Sequence, residues 1–324
     1  MPAARVSGER TPAVRPATIR AERTAALLLL LADTSDPEDL DADVERVVTL
    51  GERGELSLDG LLIAPAAPHG ICGATMVTPG PGGAADLFPP RLAADAPATV
   101  AADLLSAAAH YAASVDCDRL QAFADPVRTD DASVFDKAGF ERIADLRMLR
   151  RDCSTPVSLQ PRLLDSLLTL APETECLFRE TTRASYAGSR DAPDARGADA
   201  DEDFDAHAAA PGFRPDLCRL AMLEGDPAGL TLIAVSGEGA AAEWDVCYLG
   251  VTPAHRGRGL GRAMLADRLA AGRDAGAAAV TCVVDAANEP ARRLYAAAGF
   301  TETASRVLYL KRLERPSTDF AGSS

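Results

Sequence analysis

Aromatic residues are scarce in this chain, 5% of its 324 residues with a single tryptophan, so its cores must be built mainly from Leu, Val, Ile and Ala. Positive charge is also in deficit: 33 Lys and Arg stand against 48 Asp and Glu, a net charge of −15. A chain this acidic lacks the basic footprint that draws phosphate backbones, so nucleic acid is excluded as an expected partner. Long apolar runs are missing. The strongest, Ala25 to Ala32, follows Glu22 and Arg23 and is far short of the ~18 residues a membrane span needs. It reads as a buried helix, not as a signal peptide or anchor. The cysteines (Cys72, Cys117, Cys153, Cys176, Cys218, Cys247 and Cys282) show no CxxC or CxxxH spacing, which argues against a zinc site or a disulfide framework and fits a reducing compartment. These absences predict a soluble, cytoplasmic protein with no metal and no membrane partner.

What is present is 47% hydrophobic residues, enough for ordinary globular cores. The length suggests two domains of ~150 residues each. A repeat supports that division. Val134-Phe135-Asp136-Lys137-Ala138-Gly139-Phe140 in the first half matches Leu294-Tyr295-Ala296-Ala297-Ala298-Gly299-Phe300 in the second, 160 residues later. At the same spacing Leu120–Asp125 matches Val280–Asp285, and Arg147–Arg150 matches Val307–Leu310. We expect tandem domains over 13–152 and 160–314, joined where Pro156 and Pro161 interrupt the pattern, with Arg315–Ser324 and residues 1–12 outside the folded core.

The second half alternates strands and helices, the pattern of a two-layer α/β class. Strands are expected at Leu217–Glu224, Leu230–Ser236, Glu243–Val251 and Ala278–Asp285. A helix over Gly259–Ala271 carries the apolar stripe Leu260, Met264, Leu265 and Leu269, with Gly272 and Gly276 to end it. Pro290 opens a last helix in its first turn, and Gly299 supplies its left-handed stop.

Between the third strand and the first of these helices runs Arg256-Gly257-Arg258-Gly259-Leu260-Gly261-Arg262. Glycines let successive N–H groups converge without Cβ atoms in the way, and the helix N-terminus adds its own unpaired N–H groups and positive dipole end. With three arginines nearby, the segment reads as a pyrophosphate cradle. It is not a nucleotide P-loop, which requires Gly-Lys-Ser/Thr, and Arg262 stands where a dinucleotide fingerprint needs its third glycine. Asp285, at the end of the next strand, keeps a dinucleotide-binding alternative open.

The segment resembles the GNAT superfamily of acyl-CoA-dependent N-acyltransferases, whose signature [Arg/Gln]-x-x-Gly-x-[Gly/Ala] is matched by Arg256 through Gly261. Downstream, Asn288, Ala291, Leu294, Tyr295, Gly299 and Phe300 fit the family's Asn-x-x-Ala-x-x-Leu-Tyr-x-x-x-Gly-Phe pattern. The resemblance is strong over 170–312 and weak in the first half. It implies two tandem GNAT-like domains of α/β (α+β) class, each a mixed, mostly antiparallel sheet flanked by helices. It further implies acetyl-CoA as donor and a small-molecule or peptide amine as acceptor, in a monomer or homodimer. The backbone from Arg256 to Arg262 would hold the pyrophosphate, Leu249, Gly250 and Val251 would align the pantetheine, and Asn288 would contact the cofactor.

Tyr295 matches the family tyrosine that protonates the leaving thiolate, although it also fits core packing beside Gly299 and Phe300. Asp245 and Glu243 alternate onto one strand face as candidate bases, and either also fits a solvated strand-end carboxylate. The N–H of Val251 is the expected carbonyl polariser. At the 160-residue spacing the first half has Ala96-Pro97-Ala98-Thr99-Val100-Ala101 for the cradle, Phe135 for Tyr295, Arg128 for Asn288 and Ala85 for Asp245. The first domain is therefore expected to be structural or substrate-shaping. Asp199, Asp201, Glu202, Asp203 and Asp205, before His207 and Phe213, fit either a solvated acidic helix start or a wall that attracts a cationic acceptor. The alternative to an N-acetyltransferase is a CoA-binding sensor or interaction module without catalysis.

Overall fold

The computed structural model describes residues 13–32, 36–66, 70–155, 165–189 and 200–314. Both termini and the joint at Pro156 and Pro161 lie outside them, as does Asp199. By contact density the chain forms two compact units, one of Met1–Arg142 with Tyr309–Ser324 and one of Ile143–Leu308.

In the first unit the strands β1 (Arg15–Pro16), β2 (Leu61–Ala66), β3 (Gly70–Pro79), β4 (Ala84–Leu92) and β5 (Arg119–Ala124) lie in sheet order. All pairs are antiparallel except β4 with β5, which is parallel. Helices α1 (Arg20–Leu31) and α2 (Leu40–Glu52) cover one sheet face through Leu27, Leu30, Val44 and Val48. The apolar run from Ala25 thus becomes a buried helix. α3 (Thr99–Ser114) packs Val100 and Leu104 against Ala64 and Cys72, and α4 (Thr129–Lys137) follows β5.

The second unit has the order β6 (Glu141–Asp152), β11 (Ala279–Asp285), β10 (Glu243–Val251), β9 (Asp226–Ser236), β8 (Arg219–Leu223) and β7 (Ser166–Thr169). Again one pair, β10 with β11, is parallel and the others are antiparallel. Helices α5 (Glu175–Tyr186) and α6 (Ala200–Ala208) cover one face, where Phe178 and Phe204 pack on Leu220, Leu230 and Leu232. The opposite face carries α7 (Leu260–Asp274) and α8 (Glu289–Ala297), with Leu265, Leu269 and Tyr295 packed on Trp244, Val246 and Val280. The last strand, β12, spans Thr301–Arg312. Each unit is the mixed, mostly antiparallel sheet with flanking helices that the sequence predicts.

Three details differ from the sequence reading. Gly272 lies inside α7, where a Cβ would stand 3.5 Å from Trp244, and the left-handed stop comes from Gly276 at φ +77°. β9 begins at Asp226, because the reversal is made by Glu224 and Gly225, both at positive φ. The units also divide differently from the repeat. Strand β6 pairs with β11 from Asp152↔Ala279 to Leu146↔Asp285, placing it in the second unit. In the first unit Tyr309 stacks on Phe135 with centroids 4.8 Å apart, and the N–H of Leu313 donates to the Asp118 carbonyl. β12 is split between the units, Thr301–Leu308 in the second and Tyr309–Arg312 in the first.

Candidate active site

The parallel pairing of β10 with β11 is short. It covers Glu243↔Ala279, Trp244↔Val280 and Asp245↔Thr281 and then stops. Just beyond, β10 shifts register against β9 between Val246 and Tyr248, a bulge that carries Cys247. The two strands diverge from that point. A cavity of about 650 Å³ opens there, bounded by β10 from Val246 to Val251, by Val283 and Val284 on β11, by the glycine turn and by α8.

The turn itself is built for converging N–H groups. Gly257 has φ +73°, and Gly259 is the N-cap of α7 at φ +83°, a left-handed conformation that residues with a Cβ rarely adopt. The turn is anchored from below. Thr252 Oγ1 donates to the Ala228 carbonyl at 3.2 Å and lies 2.8 Å from Nδ1 of the buried His255. Of the residues expected to bind a cofactor, those from Leu249 through Arg262 and Asn288 line the cavity, with the exception of Arg258. Arg258 instead pairs with Glu224 at 2.6 Å on the surface. Arg256 lines the cavity, and its guanidinium donates to the carbonyls of Val251, Ser185 and Gly188. Asn288 caps α8, its side-chain oxygen accepting from the N–H of Ala291 at 3.3 Å.

Tyr295 lines the cavity and is also core, 6% exposed, with its ring edge-on to Phe300 at 5.3 Å. The packing expected beside Phe300 is present, and the ring also forms part of the cavity wall. Neither candidate carboxylate lines the cavity, whose wall on β10 begins at Val246, the residue after Asp245. Glu243 is half-buried and paired with Arg150 on β6 at 3.0 Å, outside the cavity lining. Asp245 sits at the end of the parallel pairing, next to the bulge. Thr281 Oγ1 donates to its Oδ1 at 2.9 Å, and the thiol of Cys247 donates to its backbone carbonyl at 3.7 Å. Burial raises the Asp245 carboxyl above the ordinary aspartate range, with the bonds from Thr281 and Cys247 pulling the other way. Burial, reinforced by the neighbouring Asp245, pushes the Cys247 thiol up to about 12.

Sequence reasoning missed the far wall. Gly250 lies under α5 so closely that a Cβ would meet Ser185 Oγ and Tyr248 Cε1 at 2.5 Å. Ser185 Oγ and Tyr248 Oη are hydrogen-bonded at 2.8 Å, and the Tyr248 ring contacts Tyr186 and His207. No spacing rule links residues 63 apart, so nothing in the sequence pointed to this pair. Of the acidic stretch, Asp205 pairs with Arg179 at 2.6 Å, while the side chains of Asp201, Glu202 and Asp203 lie outside the described residues.

The dinucleotide alternative loses its acid, because the Asp285 carboxylate accepts from the N–H of Ala287 at 2.8 Å and closes the turn before α8. In the first unit the N-cap of α3 is Ala98 at φ −59°, with none of the left-handed glycines of the second. The counterpart of Asp245 there is Asp86, not Ala85. Asp86 is in register with Gln121 as Asp245 is with Thr281, and Gln121 donates to it at 2.7 Å. The first half is one residue shorter between these strands, which a fixed spacing cannot register. Among the described residues there is no cluster of His, Cys, Asp or Glu set to hold a metal, and no helix is long and apolar enough to cross a membrane.

Residues 178–300 match the model of the acetyltransferase (GNAT) family. A mycothiol acetyltransferase from Thermomonospora curvata is 40% identical over 93 residues, 26% of this chain. That match spans only 31% of the relative's own length. A GCN5-related N-acetyltransferase from Sphaerobacter thermophilus has a similar structure, with 18% identity, a TM-score of 0.62 and coverage of 95% of this chain and 97% of that one. A tandem GNAT protein from the clavulanic acid biosynthesis pathway is similar over 92% of this chain and 98% of its own, with 17% identity and a TM-score of 0.53. At these identities the likeness to the solved structures is one of fold.

Proposed function

From a chain that carries a GNAT-family acetyltransferase domain within a tandem GNAT arrangement, we propose an acetyl-CoA-dependent N-acetyltransferase that acylates an amine of a small molecule or peptide in its second unit. The observation that carries this reading is the meeting of three features in one cavity: the glycine turn at the start of α7, the divergence of β10 from β11, and Tyr295. The residues present fit the donor. N–H groups between Gly257 and Arg262 suit its pyrophosphate, and the backbone of β10 past Asp245, no longer paired to β11, suits the amides of its pantetheine arm.

In this reading the deprotonated amine attacks the thioester carbonyl, polarised by the N–H of Val251. The C–S bond breaks as the C–N bond forms. The leaving thiolate takes a proton from Tyr295, and the amine gives one up to Asp245 through water. A carboxyl raised by burial is better matched to that task near neutrality than an ordinary aspartate. Transfer is direct, because a Cys247 thiol held near 12 is almost wholly protonated at neutral pH and a poor nucleophile. Glu243, occupied by Arg150, stands aside. Incubating the protein with acetyl-CoA and a panel of amines, and following release of free CoA thiol, tests the proposal. Amine-dependent release supports it; CoA binding with no release from any amine favours the non-catalytic alternative.

A further inference from the structure

On the reading that Asp245 is the base, we propose that Thr281 is its positioning residue, holding the carboxylate at the point where β10 leaves β11 and keeping it ionised there. Asp245↔Thr281 is the last pair of the parallel ladder. The Thr281 hydroxyl spans it, donating to Asp245 Oδ1 at 2.9 Å. The very next residues of β10 form the bulge and open the cavity. One carboxylate oxygen, Oδ1, is thereby fixed against a neighbouring strand, one residue before the cavity wall begins at Val246. Thr suits the post because its branched Cβ restricts χ1 and so fixes the donor's direction.

The surroundings make this bond decisive for ionisation. Burial pushes Asp245 towards its neutral form, and the hydrogen bond from Thr281 is the first of the contacts that oppose that push, ahead of the Cys247 thiol. Other charged groups on this side of the unit are already partnered. Arg150 on β6, in register with Thr281, bonds Glu243 and Asp152, and Arg179 on α5 bonds Asp205 and Glu175. His207 on α6 and Tyr186 on α5 lie against Tyr248. Among the described residues no cation stands within ion-pair distance of Asp245, so the Thr281 hydroxyl is its principal support as an anion.

The test compares wild type with Thr281→Val, which keeps the shape and loses the hydroxyl, with Thr281→Ser, which keeps the hydroxyl, and with Asp245→Asn. The first readout needs no substrate: carbon-13 NMR titration of aspartate carboxyls, with the Asp245 signal identified by its loss in Asp245→Asn. The second is the pH profile of kcat with acetyl-CoA and an accepted amine. Thr281→Val should move the Asp245 midpoint and the acid limb of kcat together to higher pH, by about one pH unit, as expected for a lost hydrogen bond to a carboxylate. Thr281→Ser should restore both. Thr281→Ala serves the same purpose if the valine variant does not fold. An unmoved Asp245 midpoint in the hydroxyl-free variants, with Asp245→Asn inactive, overturns the role of Thr281 and leaves the base assignment standing. Wild-type turnover in Asp245→Asn overturns both.

Discussion

The guanidinium of Arg256 donates to the carbonyl oxygen of Ser185 at 2.7 Å, joining the first residue of the glycine signature to the last turn of α5. It also donates to Gly188 at 3.4 Å and to Val251 at 3.1 Å. A cation at a helix C-terminus is well placed against the dipole and the unpaired carbonyls there. The side chain therefore fastens the wall of the cavity, while the pyrophosphate is left to backbone N–H groups. Arg256→Gln should raise the KM for the acceptor severalfold with little change in acetyl-CoA affinity, measured by initial rates and by calorimetry. A loss confined to acetyl-CoA affinity would make Arg256 an anion ligand instead.

Tyr295→Phe removes a hydroxyl and keeps the ring that packs edge-on to Phe300. Turnover should fall on the order of a hundredfold, the size of effect general acids have. The thermal midpoint and the acetyl-CoA dissociation constant should stay near wild type. An unchanged kcat would reduce Tyr295 to packing.

A buried carboxyl with a raised pKa costs stability. The folded state holds the Asp245 proton more tightly than the unfolded chain, so the contribution of this group is most favourable at pH below its unfolded value. It is lost as pH rises through the raised folded value. Asp245→Asn keeps an oxygen to accept from Thr281 and carries no charge. It should therefore abolish turnover while raising the melting temperature by a few degrees at pH 8, with the gain shrinking as pH falls towards 4. Calorimetric scans at the two pH values check the sign.

Much of this site was legible in the sequence because its parts are local. The glycine turn, Pro290 in the first turn of α8 and the stop at Gly299 each depend on neighbours within a few residues, so spacing and residue type reveal them. What depends on register was harder to read. One missing residue in the first half hid Asp86 behind Ala85, and strand alternation put Glu243 and Asp245 on one face without showing that Arg150 would occupy the first. Side chains brought together across strands, such as Thr281 with Asp245 or Ser185 with Tyr248, leave no trace in spacing. The place of β6 in the second unit is invisible for a related reason: the repeat assigns that strand to the first half, and only its pairing with β11 reveals otherwise.

Gly261 offers the cleanest test of the whole account. The nearest atoms a Cβ there would meet are on Leu249, Leu294 and Val251, at 3.6 Å or more, which is ordinary packing distance. Gly261→Ala should therefore fold as wild type, while the added methyl intrudes on the cradle. The decisive measurement is calorimetric titration of the full chain with acetyl-CoA, beside this variant. The account predicts one equivalent bound per chain, at least tenfold weaker in Gly261→Ala, with no change in the melting temperature of the ligand-free protein. Two equivalents per chain, or an affinity unmoved by the substitution, would contradict it.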